Sequence, residues 1–167
     1  VVVGEAGVKG KGVFARRDFA RRDFARGGFI FRRRHGSVVR NSDIPSLSEE
    51  DQRHLCELDF ETSAVLLPPG CYLNHSCDPN AMRRGVNVYA WRAIQAGEEI
   101  SIDYRLNAHT GERWTCDCGA ANCRGYVISD FFSLDEERQR AYLPSAPPFI
   151  RKGYRRRALS SCQSETR

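Results

Sequence analysis

The sequence predicts a mainly β fold with a few short helices, and three observations carry that prediction. Apolar residues gather in clusters between Gly and Arg, at Val1–Val3, Val13-Phe14, Phe29–Phe31 and Val38-Val39. Such clusters read as short strands joined by hairpins. Two later stretches, Val86–Ile94 and "ISIDY" from Ile100, alternate apolar and polar residues. Helix signals occur in only two stretches, both brief.

In chain order, the first feature after the opening strands is a repeat. "FARRD" occupies Phe14–Asp18 and again Phe19–Asp23, and "FARGG" follows at once. A period of five suits neither a helix face nor a strand face, so an expanded hairpin loop is expected. From Ser46, "SLSEEDQRHLCELDF" offers a capping box of Ser46 with Glu49, and Leu47, Leu55 and Leu58 on one helical face. "LLPPG" ends that segment. "VNVYAWRAI" reads as a strand, "QAGEE" as a turn and "ISIDY" as a second strand. "SLDEERQRAYL" predicts a second helix capped by Ser133, with Glu136 three residues on, ending at Leu143-Pro144. "PSAPPF" should be stiff and extended. The basic tail, residues 151–167, is short of apolar residues and is expected to be mobile.

At 167 residues, with 41% apolar and 28% charged content, the chain suits one soluble domain. No apolar run approaches the roughly 20 residues that span a bilayer. The N-terminal "VVVGEAGVKGKG" lacks the zones of a secretory signal. An odd count of seven cysteines argues against a disulfide framework. An intracellular protein without membrane contact is therefore expected, cytoplasmic or associated with chromatin. Charge is segregated: eleven Lys/Arg against three acids in residues 1–40, nine against seventeen in 41–150, six against one in 151–167. The basic ends suit weak nucleic-acid contact, or serve only to neutralise the acidic middle.

Chemistry-bearing residues crowd two stretches. "CYLNHSCDPNA", Cys71–Ala81, sets Asn74, His75, Ser76 and two thiols in one polar turn. "CDCGAANC" spaces Cys116, Cys118 and Cys123 as C-x-C-x4-C, a pattern in which thiolates from a tight turn share one zinc ion, with Gly119 letting the backbone bend. A fourth ligand must come from elsewhere, and Cys77, Cys71, His75 and His109 are the candidates. Cys56, Cys71 and Cys162 otherwise read as small buried or tail thiols. "KGKG", Lys9–Gly12, brings backbone close to a small molecule but lacks the spacing of a phosphate loop. Tyr104 and Trp114, each taken alone, read as core aromatics.

In their order along the chain, "GKGVFA", "NHSCDPNA", "GEEISIDY" and "CDCGAANCRG" resemble the SET-domain protein lysine methyltransferases with a post-SET zinc segment. The resemblance covers about residues 1–126. It implies a β-clip type fold of small sheets in which the strand ending near Tyr104 forms a pseudoknot with the Asn74-His75 loop. It implies S-adenosylmethionine as methyl donor, held by Gly10, Lys11, Gly12, Tyr72, Asn74 and His75, with Trp114 near the adenine. Tyr104 matches the family's catalytic tyrosine. Cys77 matches the fourth zinc ligand beside Cys116, Cys118 and Cys123. The activity implied is methyl transfer to a lysine amine of a histone or other basic protein.

On this reading, residues 1–107 form the SET domain, 108–126 the post-SET zinc segment, 127–150 a helix with an extended Pro-rich segment, and 151–167 the basic tail. Two departures stand out. "FIFRRRHGSVV" replaces a Tyr-x-Gly-Glu segment that helps to line the family's lysine channel. Ile102 stands where Phe or Tyr often limits the number of methyls added. A non-catalytic module that binds nucleic acid or protein partners through its basic ends is the alternative. Intact Tyr104, Asn74 and His75 favour the enzyme.

Overall fold

Four small sheets form the body of the protein, which the computed structural model describes over residues 1–20 and 28–164. The front of the chain supplies β1 (Val2–Glu5), β2 (Lys11–Phe14), β3 (Phe29–Arg32) and β4 (Arg34–Arg40). The short helix α1 (Glu49–Arg53) precedes β5 (Leu55–Glu57), β6 (Thr62–Leu67) and β7 (Asn74–His75). There follow β8 (Ala81–Arg84), β9 (Asn87–Ala90), β10 (Glu99–Ile102), β11 (His109–Thr115) and β12 (Tyr126–Asp130). Helices α2 (Glu136–Tyr142) and α3 (Pro148–Ser164) close the chain. The sheets run β1-β2-β10-β7, β3-β9-β8, β4-β6-β5 and β11-β12. The mainly β fold with short helices is thus as the sequence predicts.

Where strands alternate, burial alternates with them. Val88 and Ala90 of β9 and Ile100 and Ile102 of β10 turn inward, where they meet Val13, Leu73 and Ile94 in the main core. One pairing dominates the functional geometry. β7 runs parallel to β10, with Asn74 opposite Ser101 and His75 opposite Ile102. The chain beyond β7 stays fastened to the same strand. The Ser76 N–H donates to the Ile102 carbonyl at 2.9 Å, and the Ser101 N–H donates to Asn80 Oδ1 at 2.9 Å. Asn80 is buried, and its amide donates to the Glu99 carbonyl at 2.7 Å. This crossing is the knot-like feature expected from the resemblance.

Three expectations are corrected. The cap of α1 is Ser48, whose Oγ accepts the Asp51 N–H, because Ser46 is drawn into the preceding 3-10 turn and donates to the Asp43 carbonyl. The cap of α2 is Asp135, which accepts the Arg138 N–H, while Ser133 ends a 3-10 turn of its own. The segment read as an extended connection and mobile tail is helical from Pro148 to Ser164. Pro148 occupies the first helical position, which needs no N–H donor. Phe149 and Ile150 then enter a second core with Phe131, Leu134 and Tyr142, and the Arg157 guanidinium lies 3.7 Å above the Phe132 ring.

The repeat is seen only in part. Phe19, read as loop, is buried and bridges Ile94, with N–H to carbonyl bonds of 2.8 and 2.9 Å in the two directions. Residues 21–27, which hold most of the second and third copies, lie outside the described residues.

Candidate functional site

The turn between β1 and β2 forms one wall of the site. Gly10 sits there at φ 73°, and a Cβ at Gly12 would lie 2.8 Å from Ala6 Cβ and 2.9 Å from Glu99 Oε1, so no side chain fits. The Asn74 amide donates to the Lys11 carbonyl at 3.0 Å and to Glu99 Oε1 at 2.8 Å. Lys9 forms an ion pair with the other Glu99 oxygen. Glu99 therefore ties the glycine turn to the Asn74 loop. The Lys11 ammonium lies 5.1 Å from the centre of the Tyr72 ring, which meets the His54 ring edge-on.

Beside this wall three rings meet. The His75 ring is 5.4 Å from Tyr104 and 5.1 Å from Trp114, and Tyr104 and Trp114 are 6.1 Å apart. Burial pushes His75 down to about 4; Asp103 opposes this shift and Arg105 adds to it. The imidazole is thus neutral at physiological pH. Its Nδ1 accepts the Tyr104 N–H at 3.2 Å, so the ring proton resides on Nε2, 3.4 Å from Cys77 Sγ. The ring is spent on internal contacts with Tyr104, Trp114 and Cys77.

Tyr104 follows β10 and donates its hydroxyl to the Leu73 carbonyl at 2.8 Å. Its surface is 39% exposed, but the hydroxyl end is desolvated, and burial pushes the phenol up to about 12. It stays protonated at neutral pH. Its neighbour Asp103 is buried, receives both Nε and Nη2 of Arg105 at 2.9 and 2.8 Å, and accepts the Tyr142 hydroxyl at 3.3 Å. A bidentate clamp of this kind fixes the backbone from which Tyr104 projects.

The four predicted metal ligands converge. The sulfurs of Cys77, Cys116, Cys118 and Cys123 all lie within 4.8 Å of one another, and those of Cys77 and Cys116 are 4.0 Å apart. A tetrahedral zinc with bonds of about 2.3 Å sets its sulfurs about 3.8 Å apart, so the set fits that ion. Cys71, His75 and His109, the other candidates, lie outside the set. Burial and the neighbouring sulfurs push Cys77 up, and they push Cys116 up to about 11. Burial opposes ionisation of Cys118 too, but N–H groups of Cys77 and Ala120 bring it down to about 7. A shared cation would resolve this conflict, and the His75 Nε2–H would then be placed to donate to a coordinated Cys77 thiolate. Gly119 supplies the bend at φ 72°. Arg138 of α2 and Asn122 both donate to the Cys77 carbonyl, at 2.8 and 3.1 Å.

Tyr104 also lines a cavity of about 640 Å³ together with Ile102, Leu73, Cys56, Arg33 and Arg83. The stretch that replaces the family's Tyr-x-Gly-Glu segment thus places a buried arginine, Arg33, on the cavity wall. Sequence reasoning missed Glu99, the Asp103–Arg105 clamp and the Arg33–Cys56–Arg83 cluster. Glu99 stands inside a quoted motif, and its spacing from Asn74 was the available signal. The arginine cluster joins three distant segments and left no local pattern.

Comparison with known proteins adds the family. A family model described as SET domain matches residues 10–105. The protein named Histone-lysine N-methyltransferase ASHR3, from Arabidopsis thaliana, is 36% identical over 85 residues, which are 44% of this chain and 17% of that protein. A Saccharomyces cerevisiae histone-lysine N-methyltransferase described as H3 lysine-4 specific is 39% identical over 66 residues, 34% of this chain and 6% of that protein. The chain therefore spans less than a fifth of the length of these relatives. The methyltransferase domain of human SETMAR shares the fold, with a TM-score of 0.56 at 22% identity over 77% of this chain and 57% of that one.

Proposed function

Because this chain belongs to the SET-domain family, we propose that it is a protein-lysine N-methyltransferase that uses S-adenosylmethionine and a structural zinc ion. The observation that carries this reading is the Tyr104 hydroxyl, protonated and bonded to the Leu73 carbonyl where it borders the cavity. With its proton committed to Leu73, the hydroxyl oxygen keeps lone pairs to accept an amine N–H and so orient the nitrogen lone pair.

S-adenosylmethionine, when bound, supplies an electrophilic methyl group on a sulfonium. The residues present fit it. The turn at Gly10 leaves open space, with nothing within 4 Å of where a Cβ would stand, the exposed Lys11 cation suits a carboxylate tail, and the half-buried Tyr72 and Trp114 offer aromatic faces. Asn74 holds the glycine turn in place, and the zinc set pins the Trp114 segment beside His75.

The target amine must lose its proton, although a free lysine has a pKa of about 10.4. Desolvation at the buried end of the cavity disfavours the ammonium, and the buried Arg33 and Arg83 on its wall disfavour a further cation. The relatives' names point to a histone lysine as substrate, which would place the action at chromatin. Incubation with the donor and a histone mixture, followed by peptide mass spectrometry, tests the reading. Methyllysine formed only in the presence of the protein is expected; an unmodified mixture and an unmodified protein would overturn it.

A further inference from the structure

Arg33 and Arg83 are 3% and 6% exposed, and among the described residues no carboxylate lies within ion-pair distance of either. A guanidinium does not give up its proton, so two of them buried side by side need negative charge. Glu57 is close enough to act on Arg83, but its carboxylate is engaged by His109.

The remaining candidate is a sulfur. Both terminal nitrogens of Arg33 donate to Cys56 Sγ at 3.6 Å, and the Asn107 amide donates to it at 3.7 Å. Arg33, Arg83, Cys56 and Asn107 all line the cavity that Tyr104 borders. Among the described residues, Arg83 Nη2 is buried with no hydrogen-bond partner, as is Arg33 Nε. We propose that Cys56 is a hydroperoxide-sensitive thiolate in an arginine cradle, a modification site on the wall of this cavity.

The charged surroundings agree. Burial alone raises a thiol, yet Arg83 and Arg33 together hold Cys56 below the ordinary value, against a smaller opposing effect of Glu57. His35 on β4, facing the same arginines, is pushed down by burial and by both of them. Tyr104 remains neutral at physiological pH and adds no competing charge. Cys71 lines the same cavity without such a cradle, and burial pushes it up. The two thiols form an internal comparison, in which the arginines act on the less exposed one.

In the reaction the thiolate sulfur attacks one oxygen of hydrogen peroxide. The S–O bond forms, the O–O bond breaks, and the departing hydroxide takes the remaining peroxide proton to leave as water. Sulfur loses two electrons and becomes sulfenate, and peroxide is reduced. The unpartnered Arg83 N–H is the donor available to the new oxygen.

The test is to treat the intact protein with hydrogen peroxide at neutral pH, trap sulfenic acid with dimedone, and read each cysteine peptide by mass spectrometry. Cys56 should be trapped about tenfold faster than Cys71. Equal or faster trapping of Cys71, or a Cys56 that stays unlabelled, would overturn the proposal. Arg33→Met, with a side chain of similar length and no charge, should bring Cys56 to the Cys71 rate; an unchanged rate would overturn the cradle. If that variant does not fold, the wild-type ratio decides alone. The readout needs no methyl transfer, so failure here is distinct from failure of the proposed activity.

Discussion

The side-chain amide of Asn74 donates to the backbone carbonyl of Lys11, 63 residues away in the chain, across 3.0 Å. A second N–H of the same amide reaches Glu99 at 2.8 Å. One residue thus fixes the glycine turn against the strand that leads to Tyr104. Asn74→Ala leaves the half-buried Glu99 carboxylate short of a donor and should lower stability by about 1–3 kcal/mol. Donor affinity should fall about tenfold or more, because the turn loses its anchor. Chemical denaturation and calorimetry with S-adenosylmethionine read the two effects. Stability and affinity both equal to wild type would contradict this role.

Zinc removal should act on the same site from the other side. The chain is expected to carry one zinc held by Cys77, Cys116, Cys118 and Cys123, and Cys77→Ser should lower both stoichiometry and affinity. The Trp114 ring, 5.1 Å from His75, should then become more exposed, which tryptophan fluorescence detects. Elemental analysis that finds no zinc in the wild-type protein, or the same content in the variant, would remove the assignment.

Ile150 is fully buried in the second core, at the first turn of α3. Ile150→Ala should cost about 2–5 kcal/mol, the usual range for emptying such a site. An exposed residue of the same helix, Lys152, should tolerate Ala within about 0.5 kcal/mol. Equal, small effects at both positions in urea titrations would show that α3 contributes little to the fold.

β2, β3, β9 and β10 were legible because their apolar clusters or alternation report directly on which face is buried. The caps were displaced by two residues because "SLSEED" and "SLDEERQ" each hold two overlapping cap patterns, and context from Pro45 and from Phe131–Ser133 selects the second. α3 escaped notice because two apolar residues, Phe149 and Ile150, anchor it, while Tyr154 packs against the same core and Arg157 stacks on Phe132. The cysteine set and Tyr104 were legible because motif spacing survives folding. The arginine cradle was not, since residues 33, 56 and 83 meet only through the packing of different sheets.

Acid sensitivity should have an identifiable contributor in Glu98. Burial raises its carboxyl, but Asn80, the Gln95 N–H and Arg92 outweigh that and hold it below 4.5. The unfolded chain therefore takes the proton first as pH falls. The contribution is fully present above the unfolded pKa and is lost as pH drops through the folded value. Glu98→Gln should lose less stability than wild type between about pH 5 and pH 3, by under about 1 kcal/mol for this partly exposed group. Parallel losses in urea midpoints across that range would exclude Glu98 as the source.

The central claim rests on Tyr104, and Tyr104→Phe tests it most directly. The substitution keeps the ring against His75 and Trp114 and removes only the hydroxyl that bonds Leu73. The measurement pairs calorimetric S-adenosylmethionine binding with methyl transfer to a histone mixture on the same preparation. Donor affinity within about twofold of wild type, with turnover reduced by about a hundredfold or more, is the predicted result for a group that acts on the reacting amine. Turnover equal to wild type would contradict the account.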